Sequence, residues 1–215
     1  MTSAASMKTR AVIFDCDGTL VDSEPLSALV FAEALAAEGL AITPVEALSA
    51  FRGRRMALCL EHAAGLLGRP LPPHFEPALR DLTARAFEER LQVIDGAAAL
   101  LEALSLPFCV ASNAPRAKTE LSLGLTGLRH HFGDRVFSAY EVGAWKPDPG
   151  LFLHAAATLG VPPPNCLVVE DSEAGVTAGV AAGMRVVALL PDGRPHWLPA
   201  GVSVIRHLSE VARHL

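Results

Sequence analysis

The chain has 215 residues, 51% of them hydrophobic and 19% charged, with a formal net charge of −5. Such a composition supplies a sizeable core, excludes general disorder and carries no nucleic-acid footprint. An anionic substrate must be drawn in by a local positive field or a metal, because the global field repels it.

Met1 to Ser6 read as a flexible start. Lys8 and Arg10 are followed by only four apolar residues before Asp15, far short of a signal-peptide core. No apolar run reaches the roughly 18 residues of a membrane span. A cytoplasmic protein without membrane or nucleic-acid partners is therefore expected. Cys16, Cys59, Cys109 and Cys166 form no Cys-x-x-Cys pair, and Cys16, Cys109 and Cys166, in or beside apolar runs, read as reduced core thiols. A catalytic thiol at Cys16 is the alternative, although strand alternation turns it away from the face shared by Asp15 and Asp17.

Ala11–Phe14 reads as a buried strand that delivers Asp15 and Asp17 to its C-terminal end, where parallel sheets bind ligands. One such carboxylate can attack or hold a metal while the other moves a proton. An Asp-Gly turn at Asp17-Gly18 accounts for the same residues blandly. From residue 24 to residue 91 the pattern is helical almost throughout. Leu26, Leu29, Val30, Glu33, Ala34 and Ala37 begin an amphipathic helix that Gly39 ends. Further helices fit 44–50, 56–67 and 75–90. This segment is too long for a simple crossover and reads as an inserted helical domain. Arg52-Gly53-Arg54-Arg55 lies within it, and arginine suits bidentate contacts to carboxylate or phosphate. A solvated turn explains the same charges.

Strands are again expected at 108–111, 167–169 and 186–190, separated by helical patterns, which argues a parallel sheet wrapped by helices. Ser112-Asn113 ends the second strand, with Pro115 opening a helix. The hydroxyl and the amides there suit phosphate oxygens, and a helix cap suits them equally. Lys146-Pro147-Asp148-Pro149 precedes a helix over 150–159. Its lysine is rigidly placed to supply positive charge, or is merely solvated. Glu170-Asp171-Ser172 ends the third of these later sites, and two adjacent acids there suit a hard cation. Capping of the next helix is the competing account. Gly175, Gly179 and Gly183 mark a helix pressed against the sheet, with Gly183 as its C-terminal cap. His62 and His74 read as surface or packed residues and His130-His131 as a loop. Jointly, two acidic clusters, a lysine and a hydroxyl-amide cradle along one sheet edge describe a metal and phosphate pocket.

These residues, over nearly the whole chain, resemble the haloacid dehalogenase superfamily. Asp15-x-Asp17-Gly18-Thr19, Ser112-Asn113, Lys146-Pro147-Asp148 and Glu170-Asp171-Ser172 are similar to its four motifs in order and spacing. Val21-Asp22-Ser23-Glu24-Pro25 resembles the hinge into its small helical cap. The chain looks most like the sugar-phosphate phosphatase and β-phosphoglucomutase branch. Phe51-Arg52-Gly53 and Trp145-Lys146-Pro147-Asp148-Pro149 are similar to 6-phosphogluconate phosphatase-like members. The resemblance implies a Rossmann-like α/β core, residues 1–22 and 92–215, with a cap over residues 23–91. It implies an aspartyl-phosphate route to phosphoester hydrolysis, with Asp15 as nucleophile and Asp17 as acid and then base. Ser112, the Asn113 amide and Lys146 would hold phosphoryl oxygens. Mg2+ would be held by the Asp15 carboxylate, the Asp17 backbone carbonyl and Asp171, with Glu170 direct or through water. Asp148 would orient its loop. Arg52, Gly53, Arg54 and Arg55 would select the substrate, a small phosphate ester and plausibly a sugar or sugar-acid phosphate. Asp17 argues against dehalogenation. Ser27 stands where the mutases carry a histidine, so hydrolysis is favoured over isomerisation. A mutase, or a phosphate-binding protein whose catalysis has lapsed, is the alternative. A monomer or weak homodimer is expected.

Overall fold

Six strands alternate their side chains between two cores in a computed structural model describing residues 8–215. The flexible start read at the N-terminus lies outside the described residues. β1 (Ala11–Phe14) sends Val12 and Phe14 into one core and Ala11 and Ile13 into the other. β2 (Phe108–Ser112), β4 (Cys166–Glu170) and β5 (Arg185–Leu189) follow the same period-two rule. Burial on both faces is why these strands read as continuous apolar runs. β3 (Val136–Ser138) and β6 (Ser203–Ile205) complete an all-parallel sheet in the order β3-β2-β1-β4-β5-β6. β1 thus lies between β2 and β4, with Val12 opposite both Phe108 and Leu167. The chain reverses its direction of travel across the sheet at β1, which opens a crevice at the C-terminal strand ends.

Four helices lie between β1 and β2: α1 (Glu24–Ala37), α2 (Pro44–Phe51), α3 (Met56–Leu67) and α4 (Phe75–Arg90). Their local stops are legible. Thr43 and Glu46 form a reciprocal capping box at the start of α2, and Gly68 ends α3 at φ 68°. These helices bury a third apolar cluster of their own, including Phe31, Leu35, Phe51, Phe75 and Leu79. The Phe31 and Phe51 rings lie 4.5 Å apart between centroids. The chain enters and leaves this segment through adjacent strands. Val21 pairs antiparallel with Val93, Asp22 N donates to Gln92 O at 2.9 Å, and Ile94 N donates to Leu20 O at 2.9 Å.

The remaining helices cover the sheet: α5 (Ala97–Ala103), α6 (Arg116–Leu125), α7 (Ala139–Val142), α8 (Gly150–Leu159) and α9 (Glu173–Ala181). β3, β6, α5 and α7 were not anticipated, and His130-His131 belongs to a 3-10 turn rather than a loop. The cysteines are all free and buried. Among the described residues no helix is long and apolar enough to cross a membrane.

α9 rides close on the sheet because Gly179 lacks a side chain. A Cβ there would sit 2.8 Å from Val186 Cγ2 and 3.5 Å from Val168 Cβ. Gly179→Leu should therefore overpack this layer and destabilise the protein by about 1–3 kcal/mol. Gly65→Ala, in open space on α3, should be neutral or gain up to ~1 kcal/mol from helix propensity. Thermal melts of the two variants check the contrast, and equal melting temperatures would refute it.

Candidate active site

The turn after β1 sets the first two carboxylates in different surroundings. Gly18 N donates to Val21 O at 2.8 Å, and Leu20 N and Val21 N both donate to Cys16 O. Gly18 holds φ 81°, and a Cβ on it would fall on the Asp171 carboxylate. Only glycine satisfies both conditions. Within this turn Cys16 packs into the core, and burial together with Asp17 and Asp15 pushes its thiol well above the usual range. That removes the catalytic-thiol alternative.

Asp15 and Lys146 meet at the centre of the site. Lys146 Nζ donates to Asp15 Oδ1 at 2.5 Å and to Glu170 Oε1 at 2.7 Å, with the lysine side chain only 2% exposed. Burial alone would discharge the ammonium, but the carboxylates of Asp15 and Glu170 outweigh it and hold the lysine above its ordinary pKa. Asp15 is pushed well up by burial, with Lys146 opposing and Glu170, Asp171 and Asp17 adding to the rise. Its Oδ2 accepts no hydrogen bond from the described residues, and Asp15 lines the cavity. Lys146 does not directly follow a strand. It lies beyond β3 and α7 on a loop, and Asn113 fixes it there. Lys146 N donates to Asn113 Oδ1 at 2.8 Å, and Asn113 Nδ2 donates to Lys146 O at 3.2 Å. Asp148 accepts from Gly150 N at 2.7 Å and so orders the turn into α8.

Ser112, at the end of β2, accepts from Ala114 N at 3.0 Å and lines the same cavity with Asn113. Glu170 is held by the start of α9. Its Oε2 accepts from Asp171 N at 2.8 Å, Ser172 N at 2.8 Å and Ser172 Oγ at 2.9 Å. Any further ligand of Glu170 must therefore use Oε1. Asp171 accepts from Thr19 Oγ1 at 3.2 Å and is paired with Arg52 across the interface with the helical segment. Burial and Glu170 raise its carboxyl to about 6 despite Arg52.

One ligand atom from each of Asp15, Glu170 and Asp171 lies within 4.8 Å of the others. Three buried carboxylates, two of them driven toward protonation, make a donor set short of positive charge. Hard oxygen ligands in that state fit Mg2+. The Asp17 side chain stands apart from this cluster. Ser23 Oγ donates to Asp17 Oδ1 at 2.5 Å and Lys118 Nζ donates to the same oxygen at 2.8 Å. Burial would raise Asp17, but Lys118 and Ser23 prevail and lower it below its ordinary value. Lys118 was not anticipated. Its signal was its place on the first turn of the helix that follows Ser112-Asn113.

A cavity of about 390 Å³ joins these groups to the helical segment. Arg52, Gly53 and Arg54 line it, and a Cβ on Gly53 would meet Ser172 Cβ at 2.9 Å. Arg55 does not line it; its guanidinium stacks 4.1 Å over the Trp145 ring. Ser27 lines the cavity, as does Glu24, which was read only as part of the hinge. Burial, with Asp171 and Asp17, raises the Glu24 carboxyl to about 8.

The sequence model of the haloacid dehalogenase-like hydrolases matches residues 9–183. The 6-phosphogluconate phosphatase of Escherichia coli (strain K12) is 38% identical over 212 residues, covering 95% of this chain and 93% of its own. Hexitol phosphatase A of the same organism is 32% identical, covering 85% of this chain and 84% of its own. A solved haloacid dehalogenase family hydrolase from Deinococcus radiodurans R1, with bound phosphate and sodium, is 34% identical with a TM-score of 0.76, covering 95% of this chain and 94% of that one. A solved β-phosphoglucomutase homologue from Thermotoga maritima is 25% identical with a TM-score of 0.77, covering 96% and 98%.

Glu170 can lie against the start of α9 only because residue 175 is glycine, since a Cβ there would overlap the Glu170 carboxylate. Gly175→Ala should displace Glu170 and weaken apparent Mg2+ affinity roughly tenfold to a hundredfold. Magnesium titration of turnover measures this, and an unchanged midpoint would show that Glu170 tolerates the displacement.

Proposed function

The chain belongs to the haloacid dehalogenase-like hydrolase family, and we propose that it is a magnesium-dependent phosphatase of sugar or sugar-acid phosphates working through an aspartyl phosphate. The observation that carries this reading is the different treatment of the two aspartates. Asp15 keeps an oxygen free beside a charged lysine, while Asp17 is held off by Ser23 and Lys118. A nucleophile and a proton carrier need that separation.

In the first half-reaction the free Asp15 oxygen attacks phosphorus. The Asp15 O–P bond forms, the ester P–O bond breaks, and the departing alkoxide takes a proton from Asp17, which Lys118 and Ser23 hold ionised in the free enzyme and which gains that proton from solvent as the phosphate anion binds. In the second, Asp17 takes a proton from water, the water oxygen attacks phosphorus, and the Asp15 O–P bond breaks to release inorganic phosphate. Ser112 Oγ, the Asn113 backbone amide and Lys146 Nζ hold phosphoryl oxygens. Lys146 also removes the repulsion between the nucleophile and the incoming anion. The Asp15 and Asp171 carboxylates with the Asp17 carbonyl would hold Mg2+, Glu170 joining through Oε1 or a water; the ion supplies charge neutralisation at the phosphoryl oxygens. We read residues 23–91 as a cap, and its closure over the site excludes bulk water.

Within the same family a mutase would need a proton-transferring group at the head of the cap. Ser27 lines the cavity there and offers only a hydroxyl, so water accepts the phosphoryl group. The relatives named for 6-phosphogluconate, hexitol and fructose 1-phosphate support a polyhydroxylated leaving group.

Asp15→Asn should retain less than about 1% of wild-type turnover, and chelation of magnesium should abolish wild-type activity. Both are read by phosphate release from p-nitrophenyl phosphate and a hexitol phosphate. Full activity with excess chelator contradicts the metal assignment. With β-glucose 1-phosphate and a trace of its bisphosphate, inorganic phosphate should appear faster than glucose 6-phosphate; the reverse restores the mutase.

Arg52 faces the site and Arg55 does not, so their alanine variants should differ. Arg52→Ala should lower kcat/KM for 6-phosphogluconate roughly tenfold to a hundredfold, the scale of a lost buried charge contact, and lower p-nitrophenyl phosphate turnover less. Arg55→Ala should lower neither as much. Equal losses on both esters would leave Arg52 a general structural contact.

A further inference from the structure

We propose that Glu24 is a specificity-determining residue, its carboxyl binding a hydroxyl of the leaving group beside the ester oxygen. The inference rests on the phosphatase reading above and adds a substrate contact outside the four motifs. Glu24 opens α1 directly after Ser23, the residue that bonds the proton-carrying Asp17. It lines the cavity together with Asp17 and Lys118, and both lie near enough to act on its carboxyl, which puts it by the group that would protonate the ester oxygen. Among the described residues it makes no hydrogen bond and no ion pair, although its surroundings are charged. Asp171, Asp17, Lys118 and Arg52 are the groups near enough to shift it. The other acids of the site, Asp15, Asp17, Glu170 and Asp171, all have bonded partners.

An acid in the first turn of a helix is ordinarily a favourable partner for the helix dipole. That role asks only for an exposed carboxylate. Glu24 is instead half-buried in the cavity wall without a partner, an arrangement that lowers stability. Burial, with Asp171 and Asp17, raises its carboxyl to about 8 and so favours the neutral form, which does not repel a phosphate. A neutral carboxyl both donates and accepts, which matches an alcohol. The cavity is lined by Phe31, Ala47, Phe51 and Leu79, which have no side-chain polar atoms, and by Ser27, Arg54, Arg80, Thr83 and Tyr140, which do. Glu24 adds to these an unpartnered carboxyl near enough to Asp17 and Lys118 to be shifted by them. The favoured class is a phosphate ester with a hydroxyl on a neighbouring carbon, as in polyols and sugars. Aryl phosphates lack that group.

The test compares wild type, Glu24→Ala and Glu24→Gln on a hexitol 6-phosphate and on p-nitrophenyl phosphate, with magnesium. Glu24→Ala should lower kcat/KM for the hexitol phosphate at least tenfold more than for the aryl phosphate, since a site built to bond a hydroxyl discriminates strongly against its absence. Glu24→Gln, which still donates and accepts, should recover most of that ratio. The melting temperature of Glu24→Ala should equal or exceed that of wild type. In an Asp15→Asn background, calorimetry should show Glu24→Ala weakening the hexitol phosphate more than inorganic phosphate. Equal losses on both esters, or a lowered melting temperature with no change in ratio, overturn the inference and make Glu24 structural. A wild type that hydrolyses neither ester refutes the phosphatase reading itself, and the role of Glu24 falls with it.

Discussion

Everything in the site is arranged around one buried ammonium. Lys146 Nζ lies between the Asp15 and Glu170 carboxylates with almost no solvent, so none of the three charges is stable there alone. The rest of the architecture keeps that trio together. Parallel pairing sets β1 beside β4 and brings Asp15 to the level of Glu170. Asn113 fixes the lysine backbone from β2's end, and the amides at the start of α9 fix Glu170. Removing any one support exposes an uncompensated charge in a dry environment, where each is most costly.

The helical segment makes a different contribution. Its cavity-facing side mixes apolar residues with Glu24, Ser27, Arg52, Arg54, Arg80 and Thr83, and its polar contacts with the core are few and local. Arg52 pairs with Asp171, Gly53 abuts Ser172, and Arg55 stacks on Trp145. Arg80 completes this seam, donating to the Tyr140 hydroxyl at 3.3 Å. Chemistry is thus concentrated on the sheet edge, while the helices supply walls and a small number of charged contacts.

Much of this was legible in the chain. Strands buried on both faces announce themselves as unbroken apolar runs, and Asp15, Ser112 and Glu170 stand at or just after their ends. The inserted helices were legible because Thr43, Gly68 and the prolines punctuate a 3.6-residue pattern. The short β3 and β6 were not, since three residues cannot display a period and both lie at or toward the sheet margins. Lys118 and Glu24 were missed for another reason. A single charge on the first turn of a helix looks the same whether it faces water or a cavity, and only the packing of α1 against α4, and of α4 against α6, distinguishes them. Arg52, Arg54 and Arg55 show the same limit: within four residues of chain, they reach the Asp171 carboxylate, the cavity and the Trp145 indole.

The paired strands at Val21 and Val93 also bear on how the protein assembles. β1 must find β2 across the whole helical segment, a distant pairing that makes for slow folding. The segment begins and ends at neighbouring points and carries its own apolar cluster. Once it has closed on itself, the chain between Val12 and Phe108 behaves as a far shorter loop, and the entropy of joining β1 to β2 falls accordingly. A helical segment that closes on itself first would thus ease the pairing of β1 with β2, and Glu170 joins Asp15 and Lys146 when β4 docks against β1.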